Sequence, residues 1–240
     1  MQITILGPGR LGRSLAALLS PAHEVALLGR NGALPAADVV LLCVPDRAIA
    51  EVSRRVPRNQ PVLHCSGATG LDVLGHHPER GSFHPLMTFP GPQTAIPELR
   101  DVFAAVDGTP VALDRATQIA HALGMRPVRV AGDRRLYHAA AVIAGNLATV
   151  LLARAAELLT AAGVDQAEAA DALLPLAIAS LRGATPDPAR ALTGPVARGD
   201  DAVLEAHRVA MAEAGYDALR PFYDALITEA KSLIQRNKRP

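Results

Sequence analysis

Met1-Gln2-Ile3-Thr4-Ile5-Leu6 runs straight into Gly7-Pro8-Gly9-Arg10-Leu11-Gly12, and this junction decides the fold. The first six residues are largely β-branched and apolar and read as a strand, while Leu11 to Leu19 carries apolar residues at helical spacing. Between them stands a G-x-G-x-x-G segment. A strand that turns into a helix through this spacing is the fingerprint of a dinucleotide-binding loop. Gly7 allows the tight turn, Gly9 lets a pyrophosphate approach the backbone, and Gly12 lets helix pack on strand. At the helix start, Arg10 and Leu11 contribute N–H groups and the positive end of the helix dipole.

The next segments extend this pattern. Glu24–Leu28 reads as a second strand, and it ends in Leu28-Gly29-Arg30-Asn31 with no acid nearby. An acid at this strand end would bond a free ribose 2′-hydroxyl, whereas an arginine pairs with a 2′-phosphate. Arg30 therefore points to NADP rather than NAD. Val39–Val44 is a continuous apolar run bounded by Asp38 and Pro45, as in a parallel strand covered on both faces. Pro61–Cys65, Pro110–Leu113 and Pro127–Val130 read as further strands. Strands alternating with crossover helices predict an α/β fold, a doubly wound Rossmann-type parallel sheet.

After Ala131-Gly132-Asp133 the chain becomes rich in alanine and leucine with no strand candidate. A long apolar helix, about Ala139 to Leu159, reads as buried, and Asn146 and Arg154 make it a poor membrane span. Gly163 reads as its C-cap. Asp165 through Glu168 resembles a capping box, and the Pro/Gly-rich Gly183–Gly199 precedes two more helices. The expected organisation is a nucleotide-binding domain over 1–132 and a smaller all-α domain, for substrate and dimerisation, over 133–240.

A chain of 240 residues with formal net charge +1 gives no electrostatic reason to expect nucleic acid or an anionic membrane as partner. Tryptophan is absent, so no stacking platform for single strands is evident. Cys43 and Cys65 lie in apolar strand runs without Cys-x-x-Cys spacing, which points to a reducing compartment and a packing role. No signal peptide precedes the first strand, so the expected location is the cytoplasm.

Several segments together resemble a family. Val44-Pro45-Asp46, then His64-Cys65-Ser66-Gly67, then His84-Pro85-Leu86 are similar to the β-hydroxyacid, prephenate and pyrroline-carboxylate dehydrogenases. More narrowly, Leu136-Tyr137-His138-Ala139-Ala140 leading to Asn146, and Leu192-Thr193-Gly194-Pro195-Val196-Ala197-Arg198-Gly199-Asp200, resemble a bacterial Rossmann-like family. Its C-terminal helical domain long carried an unknown-function label, and some members are a second type of ketopantoate reductase. The resemblance implies a cofactor lying across the carboxyl edge of the sheet, against Val44, Pro45, Asp46, Ser66 and Gly67. It also implies a homodimer formed through the helical domains.

Reducing a carbonyl by hydride transfer needs a proton donor to the developing alkoxide. Several branches of the superfamily use a lysine on the first long helix of the second domain; here no lysine precedes Lys231. Histidine, with an ordinary pKa near 6.5, is the natural substitute. His84 precedes Pro85 in an expected loop near the nicotinamide site. His138 opens the long helix, and Asn146 follows it by eight residues, about 80° of helical rotation, so both can line one cleft. His207 follows on a later predicted helix. Each has a structural alternative. Asn146, a polar side chain in an apolar helix, needs a partner wherever it is buried. Arg198 can clamp a substrate carboxylate or simply pair with Asp200 or Asp201. His23, His64, His76, His77 and His121 read as residues of strand ends and loops. No metal site is read.

The leading function is an NADP-dependent oxidoreductase acting on a small carbonyl acid, such as the 2-oxo acid ketopantoate. Imine reduction of the pyrroline-carboxylate kind is a second enzyme reading. A non-catalytic NADP-binding sensor or subunit is the reading from another class.

Overall fold

The computed structural model describes residues 1–29, 32–91, 94–185 and 187–237. Among these, the chain divides into two compact units, Met1–Asn146 and Leu147–Pro240.

The first unit is built on a seven-stranded sheet. Its strands are β1 (Gln2–Leu6), β2 (Glu24–Leu28), β3 (Val39–Leu42), β4 (Val62–His64), β5 (Arg80–Pro85), β6 (Phe103–Gly108) and β7 (Arg126–Val128), in the spatial order β2-β1-β3-β4-β5-β6-β7. The five strands from β2 to β5 in this order run parallel; β6 is antiparallel to β5, and β7 is parallel to β6. After β1 the chain steps to one side for β2, then back across to β3. The carboxyl ends of β1 and β3 therefore flank a topological switch point, where open α/β sheets bind ligands. The first crossover is α1 (Arg10–Leu19). Later come α2 (Ile49–Ser53), α3 (Pro110–Ala122) and α4 (Arg134–Val142).

Why β3 is central follows from its sequence. All four of Val39, Val40, Leu41 and Leu42 are fully buried, which suits a strand covered on both faces. Ile3, Ile5, Leu15, Leu41, Leu63, Phe83 and Ile119 form one core, and Leu6, Val40, Leu42, Ile49, Val62 and Leu74 a second. The α/β class read from the sequence is the fold observed.

Three details differ from the sequence reading. Pro110–Leu113 is not a strand but the first turn of α3, with Thr109 as N-cap and Pro110 at the start. Proline is suited to that position because its missing N–H would have no helical partner there. The strand lies just upstream, as β6, and His121 sits in the last turn of α3 rather than in a loop. β5 escaped prediction because Arg80-Gly81-Ser82-Phe83-His84-Pro85 contains one large apolar residue, although Gly81, Ser82, Phe83 and Pro85 are all buried.

The second unit is all-helical: α5 (Ala148–Ala161), α6 (Gln166–Ala184), α7 (Pro188–Ala191), α8 (Gly194–Arg198), α9 (Asp201–Glu213) and α10 (Arg220–Asn237). Asp165, Asp187 and Asp200 cap α6, α7 and α9 through side-chain bonds to backbone N–H groups. Between α4 and α5, residues Ile143–Leu147 form a π-helical turn.

The helix expected to be buried is not. Over Arg134–Ala161, whose length and mean hydropathy of 1.7 would suffice for a membrane span, the most apolar stretch has 0% of its residues buried. Leu136 is 73% exposed and Ile143 63%. Apolar periodicity states that a helix wants cover, not that its own chain supplies it.

Candidate functional site

The glycine loop occupies the switch point. Gly7 has φ +113°, a conformation that L side chains rarely adopt, and its N–H donates to Leu28 O at 2.9 Å. A Cβ on Gly7 would stand 2.3 Å from Cys43 O, and one on Gly12 would stand 2.0 Å from Gly7 O. Both glycines are thus required by internal packing. Gly9 differs: a Cβ there meets nothing within 4 Å among the described residues. It caps the N-terminus of α1, no side chain bonds to that cap, and the first turn carries no acid. Gly9, Arg10 and Arg13 also line a cleft of about 460 Å³ with Pro90, Gly91 and Thr94. This fits the backbone approach of an anionic pyrophosphate, with Leu11 in the same turn.

Beside the loop, Cys43 and Cys65 follow β3 and β4, with Sγ atoms 3.7 Å apart. Their mutual contact first, and then burial, push the Cys43 thiol above its ordinary pKa, so it is a packing group rather than a reactive thiolate. Val44 packs into the second core cluster, and Pro45 precedes a single 3₁₀ turn that begins at Asp46. Arg30 lies outside the described residues.

The second part of the site lies at the end of β4. Ser66 Oγ donates to Asp46 Oδ2 at 2.7 Å, and the N–H groups of Ala68 and Thr69 donate back to Ser66 Oγ. Thr69 Oγ1 reaches the same carboxylate at 3.2 Å. This small network fixes the turn that carries Gly67. His64 beneath it is fully buried, accepts the Ser66 N–H at Nδ1, and is pushed down to about 4, mainly by burial and then by the charge of Arg134.

α4 closes over this turn with Arg134, Tyr137 and His138, three residues at i, i+3 and i+4 spacing and hence on one helix face. Arg134 Nη2 donates to Ser66 O at 2.9 Å. Tyr137 OH and His84 Nδ1, from β5, are 2.8 Å apart, with the rings edge to face. A Cβ on Gly67 would stand 2.6 Å from His138 Nδ1 and 2.9 Å from His84 Nε2, so two imidazole nitrogens converge where Gly67 has no side chain. His138 Nδ1 is buried without a hydrogen-bond partner among the described residues. Burial pushes His84 down to about 4; His138 and Arg134 act in the same direction and Asp46 opposes them. Tyr137 is raised by burial, with Arg134 opposing. At neutral pH both groups are uncharged.

A cleft of about 520 Å³ opens here, lined by His84, Thr88, Tyr137, His138, Gly145 and Asn146 among others. The structure thus gathers His84, His138 and Asn146 around one cavity, with Ser66 and Gly67 at the adjoining turn. Asn146 stands in the π turn, a feature frequent at functional sites. The other two candidates belong to the helical unit. His207 Nδ1 is 2.8 Å from Tyr223 OH, beside a smaller apolar cavity that includes Met211 and Leu158. Arg198 ends α8, exposed. Tyr137 and Arg134 were not among the sequence candidates. The signal was their spacing ahead of His138, and it became readable once α4 was seen to face the end of β4. Among the described residues, no group of three or more His, Cys, Asp or Glu is placed to hold a metal ion.

The family described as "Domain of unknown function (DUF2520)" matches residues 102–230. A Bacteroides fragilis protein provisionally named an NADP oxidoreductase is 22% identical, with 97% of this chain and 98% of that chain covered and a TM-score of 0.76. A Thermotoga maritima protein whose name carries no activity is 23% identical, with 99% and 100% covered and a TM-score of 0.74. The 1-pyrroline-5-carboxylate reductase of Streptococcus pyogenes is 16% identical, with 97% and 98% covered and a TM-score of 0.65. These likenesses show a shared fold. No curated protein matches the chain.

Proposed function

The chain belongs to the DUF2520 family, and on that premise we propose that it is an NADP-dependent reductase of a small carbonyl acid. The observation that carries the reading is Gly9, the glycine of the loop that internal packing does not demand, open to the outside at a helix N-terminus. Gly7, Gly9, Arg10, Leu11 and Gly12 would hold the pyrophosphate. Arg30 would meet the 2′-phosphate, and Val44, Pro45, Asp46, Ser66 and Gly67 would border the nicotinamide half. The similar Bacteroides fragilis protein, whose name includes NADP, supports a nicotinamide cofactor on this fold.

NADPH, when bound, supplies the hydride. The residues of the cleft supply the proton. With neutral His84 in the tautomer that carries its proton on Nδ1, that N–H donates to the Tyr137 oxygen and leaves the phenolic proton free for the developing alkoxide. The positive charge of Arg134 favours loss of that proton from Tyr137. The expectation that a histidine itself is the acid thus shifts to a Tyr137–His84 pair. His138 borders the same point, and the Asn146 amide, on the cleft wall, offers a hydrogen bond to the substrate oxygen. In the helical unit, Arg198 is a candidate carboxylate clamp and His207 a candidate polar contact.

A 2-oxo acid such as ketopantoate is the first substrate reading. A cyclic imine acid is the second, favoured by likeness to the pyrroline-carboxylate reductase. We place the cofactor in 1–132 and substrate binding with dimerisation in 133–240. The exposed leucines of α5 and α6 support a homodimer, because apolar patches of this kind mark association surfaces. Asn146 and the Arg154–Glu157 ion pair favour an aqueous partner over lipid, and the cysteine usage favours the cytoplasm.

The test is an NADPH-oxidation screen against small 2-oxo acids and cyclic imine acids. Turnover should fall about 100-fold or more in Tyr137→Phe, with NADPH binding kept. NADPH binding without turnover on any substrate, and indifference to Tyr137→Phe, would establish the sensor reading instead.

A further inference from the structure

The 520 Å³ cleft is polar where Tyr137 OH meets His84 Nδ1, and both of its walls turn apolar from there. On one wall His84 belongs to β5, and Leu86 and Met87 follow directly after that strand. On the other, Tyr137 belongs to α4, and Ala140 and Ala141 follow at i+3 and i+4, on the same helix face, with Ala144 next in the π turn. The small side chains of this second wall are what leaves the space. On the first wall the Leu86 N–H donates to Phe103 O at 2.8 Å, which ties the segment to the sheet. Its side chain and that of Met87 are nonetheless 39% and 38% exposed, an apolar surface that the chain leaves uncovered.

No Asp, Glu, Lys or Arg is among the described residues that line the cleft. His84 is neutral near pH 7, chiefly through burial, and Tyr137 is raised by burial, so neither carries a charge there. Thr88 and Asn146 offer hydrogen bonds, which orient an oxygen atom but do not balance an ion. A charged group brought between these walls would lose its hydration and gain no counterion.

Resting on the reductase reading, we propose that this cleft holds the substituent on the reacting carbon and selects a branched or cyclic alkyl group there, so that the substrate carries no second charge. The carbonyl or imine would sit at Tyr137, the alkyl group against Leu86, Met87 and the alanines, and the single carboxylate would point out of the cleft. Met87, unbranched and adaptable, suits a wall that moulds itself to such a group. Each methylene buried against these walls is worth about fourfold in affinity. The substrate class is thus the monocarboxylic acid with an apolar body, and dicarboxylic acids are excluded.

The experiment uses the full-length protein and reads binding, not turnover. Pyruvate, 4-methyl-2-oxopentanoate and freshly dissolved oxaloacetate are titrated calorimetrically at pH 8, above the ordinary imidazole range, with and without saturating NADP⁺. Oxaloacetate carries a carboxylate where 4-methyl-2-oxopentanoate carries an isopropyl group of similar shape. The wild type should bind the branched acid at least about tenfold more tightly than either of the others. Ala141→Leu, which fills the space, should cut the preference over pyruvate to about threefold or less. Met87→Arg, which places a cation in the wall, should move the ratio toward oxaloacetate by about tenfold or more. The proposal is overturned by a wild type that binds none of the acids, or that binds pyruvate or oxaloacetate as tightly as the branched acid. An undiminished preference in a folded Ala141→Leu, or an unmoved ratio in Met87→Arg, overturns it too. Should Ala141→Leu fail to fold, Met87→Arg, at an exposed position, decides alone. NADPH titration of the same samples reports separately on the reductase reading: absence of dinucleotide binding with the preference intact would fail that reading and not this one.

Discussion

Two turns at the carboxyl edge of the sheet each depend on glycine, yet they differ in what the glycine serves. In the loop after β1, Gly7 and Gly12 face backbone atoms of their own unit, and the constraint is local. In the turn after β4, Gly67 faces His84 from β5 and His138 from α4, residues 17 and 71 positions further along the chain. The first is a motif with a spacing. The second is a meeting point of three elements, and no spacing announces it.

The sharpest way to break this comparison is Gly12→Ala. A Cβ 2.0 Å from a carbonyl oxygen cannot be relieved by a side-chain rotation, so the cost should exceed about 3 kcal/mol and appear as a large loss in urea midpoint. Gly9→Ala, three residues away, should leave the midpoint unchanged within about 0.5 kcal/mol while weakening NADPH binding. If both variants destabilise equally, the distinction between packing and ligand glycines fails.

Gly67→Ala should have an intermediate effect of a different kind. The imidazoles are able to retreat, so the fold should survive, but the Tyr137–His84 pair would be displaced. Turnover should then drop by about 100-fold, some 2.7 kcal/mol in barrier. Steady-state kinetics beside a melting curve separates these outcomes, and a stability loss without an activity loss would refute the assignment of this turn to the site.

The smallest effect concerns pH. His64 is buried under the Gly67 turn with its pKa depressed to about 4, against about 6.5 in the unfolded chain. Stability from this group is complete above pH 6.5 and is lost as pH falls through 4, because the unfolded chain takes up the proton first. From pH 7 to pH 5 the loss should be about 2 kcal/mol, and His64→Gln should remove that pH dependence. His84 moves in the same direction, so the doubly substituted chain should be flatter still.

The same contrast explains how much the sequence disclosed. β1, α1, β2, β3 and β4 were readable because each is a run of apolar residues bounded by Gly, Pro or Asp, and the glycine loop because its chemistry is contiguous. β5 was not, since Gly81 and Ser82 are buried by close packing rather than by hydrophobicity. His84, His138 and Asn146 were legible as residue types out of place. Arg134 and Tyr137 were hidden because an arginine and a tyrosine in a first helical turn are unremarkable until the opposite wall is known. Burial of the long helix was misjudged for the converse reason: composition describes one surface and says nothing of what lies against it.

That uncovered helix has a thermodynamic consequence. With Leu147 of the π turn, Val150 and Leu151 of α5, and Leu174, Leu176, Ile178 and Leu181 of α6 exposed, the single chain leaves a large apolar surface in water. A second copy closing over these residues would add its association energy to the folding equilibrium by mass action. The melting temperature would then belong to a concentration rather than to a molecule, and dilution alone would act as a denaturant.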